Sequence, residues 1–284
     1  MNINLFYRAR KRVENVAVYV VLIALLVVFL FPVFWMVTTS LKPEELFFVV
    51  PPQWIPLQPT FEHFEKVLQA DWFITYARNS IITTTATVFV TLVFGSLAGY
   101  SLSRFHFRWT GVVMVLLLVT QMFPFVMYLI PFFTFFSKLN LLNSYYSLTL
   151  SYMAIALPLA IWLLKSFFDA IPIDLEEQAM IDGATRMGAF VRVILPNALP
   201  GLVAIGMFTL LIAYDEYMFT LTLSTNDAMR TLAVGVAARW IGLFRFDWGG
   251  LMAMATLMSI PIIILFLFLQ RYFISGMTAG AVKG

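Results

Sequence analysis

Six apolar stretches constrain this chain more than anything else in it. Each is close to or above the ~20 residues an α-helix needs to cross a bilayer. They fall at about 16–38, 79–103, 110–136, 144–168, 199–223 and 249–273. In hydrocarbon every backbone polar group must be satisfied within protein, so runs of this length fold as helices. The fold class that follows is all-α: a polytopic membrane bundle of six transmembrane helices, with both termini on one side. Composition agrees. Hydrophobic residues make up 61% of the 284 and charged residues 12%, against roughly 45–50% and about 25% in soluble domains. Disorder, a coiled coil and an ordinary soluble enzyme are excluded.

The first run reads as a retained helix. Its apolar core is longer than the ~7–15 residues of a signal-peptide core, and no small-x-small cleavage site follows it. The chain has no cysteine and two histidines, His63 and His106. Thiol chemistry, disulfides and a multi-histidine metal cluster are therefore unavailable, and no metal is expected. The net charge of +3 is read as topology rather than as nucleic-acid binding. With the N-terminus inside, 11 Lys and Arg lie on inner segments and 7 on outer ones. Arg8, Arg10, Lys11 and Arg12 cluster beside the first helix, where charge weighs most. The predicted topology is N-in, C-in. Outside lie a long segment, 39–78, rich in proline with Trp54 and Trp72, and the segment 224–248, which has room for a short interfacial helix.

The inner segment 168–200, between the fourth and fifth runs, is too long for a turn. Asp174 is placed to N-cap a helix, with Glu177 three residues on as in a capping box, and Glu176 and Glu177 favour its first turn. Gly183 suits a left-handed stop. A second helix follows, with Met187, Phe190, Val191 and Ile194 on one face at i, i+3, i+4, i+7. Pro196 and Pro200 end it. A knob of this kind either packs on its own membrane domain or docks into a cytoplasmic partner, and spacing leaves both open.

The stretch resembles the EAA loop of type I ABC importer permeases: Glu-Ala-Ala, three residues, Gly, nine residues, Ile-x-Leu-Pro. Here Glu177-Gln178-Ala179 is followed by Gly183 and, nine residues later, by Val193-Ile194-Leu195-Pro196. Gln178 and Val193 are mild departures. The resemblance extends over nearly the whole chain, through Tyr100-Ser-Leu-Ser-Arg104, Phe136-Ser-Lys138-Leu-Asn-Leu-Leu-Asn143 and Ala156-Leu-Pro158…Ile161-Trp162-Leu-Leu-Lys165. The tail Gly276-Met-Thr-Ala-Gly280-Ala-Val-Lys283-Gly284 is similar to that of the smaller, six-span partner in maltose- and trehalose-type systems.

The resemblance implies the type I permease fold, with a basic segment 1–15, a first helix and outer loop 16–78, a permease core 79–273 containing a coupling loop 169–198, and a tail 274–284. It implies a bacterial or archaeal cytoplasmic membrane. It implies ATPase coupling through Glu177, Ala179, Asp182, Gly183, Leu195 and Pro196, with tail contacts at Gly280 and Lys283. The implied partners are a second homologous permease, two ATPase subunits binding ATP and Mg, and an extracytoplasmic binding protein or lipoprotein. The implied cargo is a sugar, a disaccharide such as trehalose or maltose.

This chain has no engine of its own. A P-loop needs Gly-Lys-Ser/Thr, and no Gly-Lys pair occurs in it. ATP hydrolysis is assigned to other chains, and no enzymatic role to this one. Charges inside a span are functional candidates by default. Asp215, followed by Glu216, lies 15 residues beyond Pro200, about 22 Å of helix at ~1.5 Å per residue. Tyr214, Asp215 and Tyr217 offer aromatic and polar groups that suit a sugar, and Gln121 beside Pro124 is a further pathway candidate. The acidic pair could equally anchor the helix end or meet an arginine at a subunit interface. Pro124 and Pro131 are expected to disturb the third run. Gly95-Ser-Leu-Ala-Gly99, followed by Ser103, offers a small-residue packing face. The competing readings are a permease for a polyol or glycerol phosphate, a proton-coupled carrier, and a membrane enzyme. Titratable groups are too scattered to favour the last.

Overall fold

A computed structural model describes residues 3–105, 107–240 and 246–281, with the backbone alone over 3–10, 12–13 and 273–281. His106, Arg245 and Lys283 lie outside the described residues. Helix follows helix: α1 Ile3–Ser40, α2 Glu62–Leu68, α3 Asp71–Arg104, α4 Thr110–Thr120, α5 Leu129–Lys138, α6 Tyr145–Asp169, α7 Ile173–Ile181, α8 Arg186–Ala189, α9 Leu195–Asn197, α10 Leu199–Tyr214, α11 Met218–Leu223, α12 Leu232–Trp240 and α13 Trp248–Ala281. Among the described residues four helices are long and apolar enough to cross a membrane, or up to six spans if each of two bent pairs counts as one. The short outer helix expected in 224–248 is α12.

The third run is broken, as its prolines lead one to expect. α4 and the segment Phe125–Lys138 meet at 94°, because Pro124 has no N–H to continue the helix. Pro131 sits in the first turn of α5, where a missing N–H costs nothing. The fifth run also breaks: α10 stops at Tyr214 and α11 restarts at Met218.

The chain divides into two compact units, residues 1–69 with 240–259 and residues 70–239 with 260–284. In the first, Lys42 is buried with its ammonium 4.2 Å from the Trp35 ring centroid. The imidazole Nε2 of buried His63 bonds the Lys42 carbonyl at 2.9 Å. Asp247 caps α13 by accepting the Gly250 N–H at 2.8 Å and pairs with Lys66. Burial alone would raise the Asp247 carboxyl, but Lys66 and the Gly250 N–H outweigh it and hold the group below the usual carboxylate range.

In the second unit α3 packs along α6, and α10 packs on both. Asn79, Thr83, Thr87, Thr91, Gly95 and Gly99 recur every four residues along α3, and all are buried. Membrane helices associate through such small residues, since lipid is as apolar as a leucine side chain. Of the two glycines on this face Gly99 is the tighter: a Cβ there would stand 3.0 Å from the Lys165 backbone nitrogen and 3.3 Å from the Ile161 carbonyl oxygen. The small-residue face therefore packs a neighbouring helix of the same chain. Its threonines bond back along the helix, Thr83 to the Asn79 carbonyl at 2.7 Å and Thr87 to the Thr83 carbonyl at 2.8 Å. Tyr100, Leu164, Phe168, Phe190, Ile194 and Ile205 form a core where α3, α6 and α10 meet the segment after Gly183.

Candidate functional site

The segment after α6 folds as two short arms joined at Gly183. α7 begins after Pro172, whose fixed φ of −55° and missing N–H set the helix start. Asp174 therefore lies inside the first turn and does not cap the helix as expected; the capping box with Glu177 does not form. Gly183 has φ +92°. Its N–H bonds the Met180 carbonyl at 3.1 Å and the Ala184 N–H bonds the Ala179 carbonyl at 3.0 Å, which is a Schellman closure. Thr185 caps the second arm by accepting the Gly188 N–H at 3.1 Å.

The second arm is not one regular helix. Phe190–Ile194 is a π-helical turn, and it splits the expected apolar face. Phe190 and Ile194 are buried, while Met187 and Val191 are exposed. Extra residues per turn rotate the two pairs apart. The arm as a whole, Arg186–Asn197, meets α10 at 77°.

Glu176 and Glu177 separate cleanly. Glu177 is exposed, as are Asp182 and Gly183. Glu176 is 2% exposed. Its Oε2 accepts from Arg104 Nε at 3.0 Å, and its Oε1 accepts from the Tyr100 hydroxyl. Arg104 also donates to the Ile171 carbonyl at 2.9 Å. Stripping one partner from a buried pair such as this costs about 3–5 kcal/mol, because the other charge is left uncompensated. Spacing had marked Glu176 only as a first-turn acid. The signal for its partner lay in Tyr100 and Arg104, four residues apart on one face of α3.

Ala179, Asp182 and Gly183 line one notch of about 260 Å³ between the arms, closed by Gly188, Arg192 and Val193. Leu195 is not among the residues lining it and packs instead against the inner core, and Pro196 is exposed. Gly280 lies on the backbone of α13.

The candidate pathway residues do not converge. Gln121 lines a cavity of about 500 Å³ at the α4 break, with Phe123, Phe125, Tyr128, Phe132 and Phe219, and its Nε2 donates to the Ile155 carbonyl at 3.0 Å. Tyr214 is buried and borders a smaller cavity of about 120 Å³ with Ile81 and Pro261. Asp215 is exposed at the α10–α11 break and Tyr217 is half-buried. Glu216 does structural work. Its carboxylate accepts the Phe219 and Thr220 N–H groups at 2.7 and 3.0 Å and so caps α11. Asn143, held at φ +55°, ties the outer loops by donating to Thr225 Oγ1 at 2.7 Å and accepting the Asn226 N–H at 3.1 Å.

Among the described residues one group brings metal-type ligand atoms together, Glu44, His63 and Asp247, within 4.8 Å of one another. Asp247 already holds Lys66 and the Gly250 N–H, and the Nε2 of His63 is taken by the Lys42 carbonyl. The cluster is balanced by a cation of the chain itself.

Comparison with known proteins places these features in a family. Residues 91–279 match the family described as "Binding-protein-dependent transport system inner membrane component". Over the full length of both chains, 39% of residues are identical to the diacetylchitobiose uptake system permease protein DasC of Streptomyces coelicolor. Identity is 35% to the trehalose/maltose transport system permease protein MalG of Thermococcus litoralis, over 92% of this chain and 94% of that one. Among solved structures, a chain from a bacterial ABC transporter involved in the import of the acidic polysaccharide alginate superposes with a TM-score of 0.79 at 22% identity, over 93% of this chain and 98% of that chain.

Proposed function

The chain belongs to the family of binding-protein-dependent transport system inner membrane components, and on that premise we propose that it is the sugar-conducting permease of an ATP-driven importer in a bacterial or archaeal cytoplasmic membrane. Its cargo is a disaccharide of the trehalose, maltose or diacetylchitobiose kind. Its termini face the cytoplasm. A second permease, two ATPase subunits carrying ATP and Mg, and an extracytoplasmic binding protein complete the machine. The observation that carries this reading is the notch built by Ala179, Asp182 and Gly183 beside exposed Glu177.

Glu176, Ala189, Phe190 and Ile194 are committed to the chain's own interior, and the exposed rim is left for a partner. Small residues let a partner side chain enter between the arms, and Glu177 and Asp182 offer carboxylates to basic groups. Leu195 and Pro196 set the angle at which the segment joins α10, and Gly280 and Lys283 are assigned to contact with the ATPases. Asp215 and Gln121 supply hydrogen-bonding groups along the pathway, with Tyr214 and Tyr217 beside them. An unpaired carboxylate at membrane depth is tolerated where it faces water, cargo or a partner.

Co-purification from membranes followed by uptake in proteoliposomes tests the reading. ATPase subunits should come down with the chain, and uptake of trehalose, maltose or diacetylchitobiose should require internal or external ATP on the ATPase side. Uptake driven by a proton gradient without ATP would overturn it.

A further inference from the structure

The coupling segment is joined to the membrane helices through a buried charged contact, and we propose that this contact, Arg104 with Glu176 and the Tyr100 hydroxyl, transmits movement of the segment to α3. The proposal rests on the reading of the Glu177–Gly183 rim as the ATPase docking surface. Arg104 and Tyr100 occupy the last turn of α3 on one face. From there Arg104 reaches two other elements: Glu176 in α7 at 3.0 Å, and the Ile171 carbonyl in the turn between α6 and α7 at 2.9 Å. One guanidinium therefore ties the end of α3, the exit of α6 and the start of α7. Tyr100 grips the other arm. Its ring lies 4.4 Å from that of Phe190, beyond the Gly183 turn, while its hydroxyl serves Glu176.

Stability alone does not call for charge here, since buried ion pairs are often replaceable by apolar residues of like volume. What a guanidinium fork and a carboxylate do add is a single satisfied register. An apolar contact slides at little cost. This one loses charge-assisted bonds as soon as α7 shifts by more than a hydrogen-bond length. A push on the exposed rim is thus passed on rather than absorbed in the 170–172 turn. It arrives beside Gly99, where α3 and α6 are in backbone contact and move together. Arg104, Glu176 and Tyr100 are positioning residues; their task is to keep hydrolysis and translocation in step.

The test uses the complete complex of both permeases, ATPases and binding protein in proteoliposomes, with trehalose, maltose and diacetylchitobiose as probe solutes. ATP hydrolysed per solute imported is compared for the wild type, Arg104→Gln and Glu176→Gln. Hydrolysis should persist while uptake falls about tenfold, within the ~5–150-fold span of typical coupling free energies, so the ratio rises by the same factor. A wild-type ratio in both variants overturns the proposal. So does a parallel fall of hydrolysis and uptake with the amount of assembled complex, the signature of a contact that only supports folding. If the Gln variants fail to assemble, Arg104→Lys and Tyr100→Phe decide on the same ratio, since they keep the charge or the ring and lose only the fork or the hydroxyl. Failure of the functional reading would show separately, as a wild-type complex without ATP-dependent uptake of any probe.

Discussion

Replacing Gly183 perturbs the turn between α7 and α8 without touching anything around it. Nothing lies within 4 Å of the point where a Cβ would stand, so an alanine meets no clash. Its whole cost is the backbone at φ +92°, about 1–2 kcal/mol for a residue with a Cβ in the left-handed region. That corresponds to a factor of about 5–30 in the population of the observed turn. Asparagine enters the region several times more readily than other side chains and should lose less. Proline is locked near φ −65° and has no N–H, so it forbids the turn and also removes the 3.1 Å bond to Met180. Uptake in reconstituted complexes, with binding-protein-stimulated ATPase measured in parallel, should therefore fall in the order Gly, Asn, Ala, Pro. The proline variant should be uncoupled while its membrane level is unchanged, because the turn is exposed. Wild-type transport by Gly183→Pro would sink the reasoning, and Asn performing worse than Ala would show that backbone conformation is not the controlling variable.

Other outcomes follow from separate parts of the chain. Gly99→Ala drives a Cβ against Lys165 and Ile161 backbone atoms that cannot step aside; the melting temperature in detergent should drop by an amount consistent with about 1–3 kcal/mol of overpacking, and an unchanged value would refute the close approach. Asp215→Asn should keep the complex assembled while raising the KM for a neutral disaccharide about tenfold, as a charged acceptor is exchanged for a neutral one; an unmoved KM would take the carboxylate out of the pathway. Glu216→Ala should instead lower thermal stability by about 0.5–2 kcal/mol through loss of the α11 cap, read by melting before any transport assay. Because the Asp247 carboxyl is held below its ordinary value by Lys66 and the Gly250 N–H despite burial, its contribution is complete above the unfolded carboxyl pKa of about 3.9 and is lost as pH falls through the folded one. Hydrogen exchange at the start of α13 should accelerate below about pH 4 in the wild type, and Asp247→Asn should flatten that dependence.

Much of the architecture was legible because hydropathy is local. The six apolar runs, the break at Pro124, the short outer helix and the glycine stop at 183 all follow from what one segment does in lipid or at a turn. The start of α7 was misread through Asp174, since a proline at 172 outcompetes a carboxylate for the cap. The π-turn at Phe190–Ile194 left no mark in a sequence that is regular by i, i+3 and i+4 counting. The threonine ladder of α3 was visible only at its glycine end, since threonines score as polar until their hydroxyls are seen bonded back along the helix. In the segment after α6 the turn falls at Gly183, where the sequence put it, whereas Glu176 was undervalued.

By itself, the sequence determined a membrane helix bundle whose scarce charge gathers in a glycine-broken segment between the fourth and fifth runs. Those are consequences of side-chain transfer energies and of φ preferences, which need no knowledge of neighbours. Tertiary structure alone decided that Glu176 anchors while Glu177 faces outward, that Glu216 is a helix cap while Asp215 stays exposed, and that the third run turns by 94°. Consecutive residues on a helix point about 100° apart, so neighbouring carboxylates receive opposite roles according to what waits on each side: Arg104 from a distant helix for Glu176, and the unpaired N–H groups at the start of α11 for Glu216.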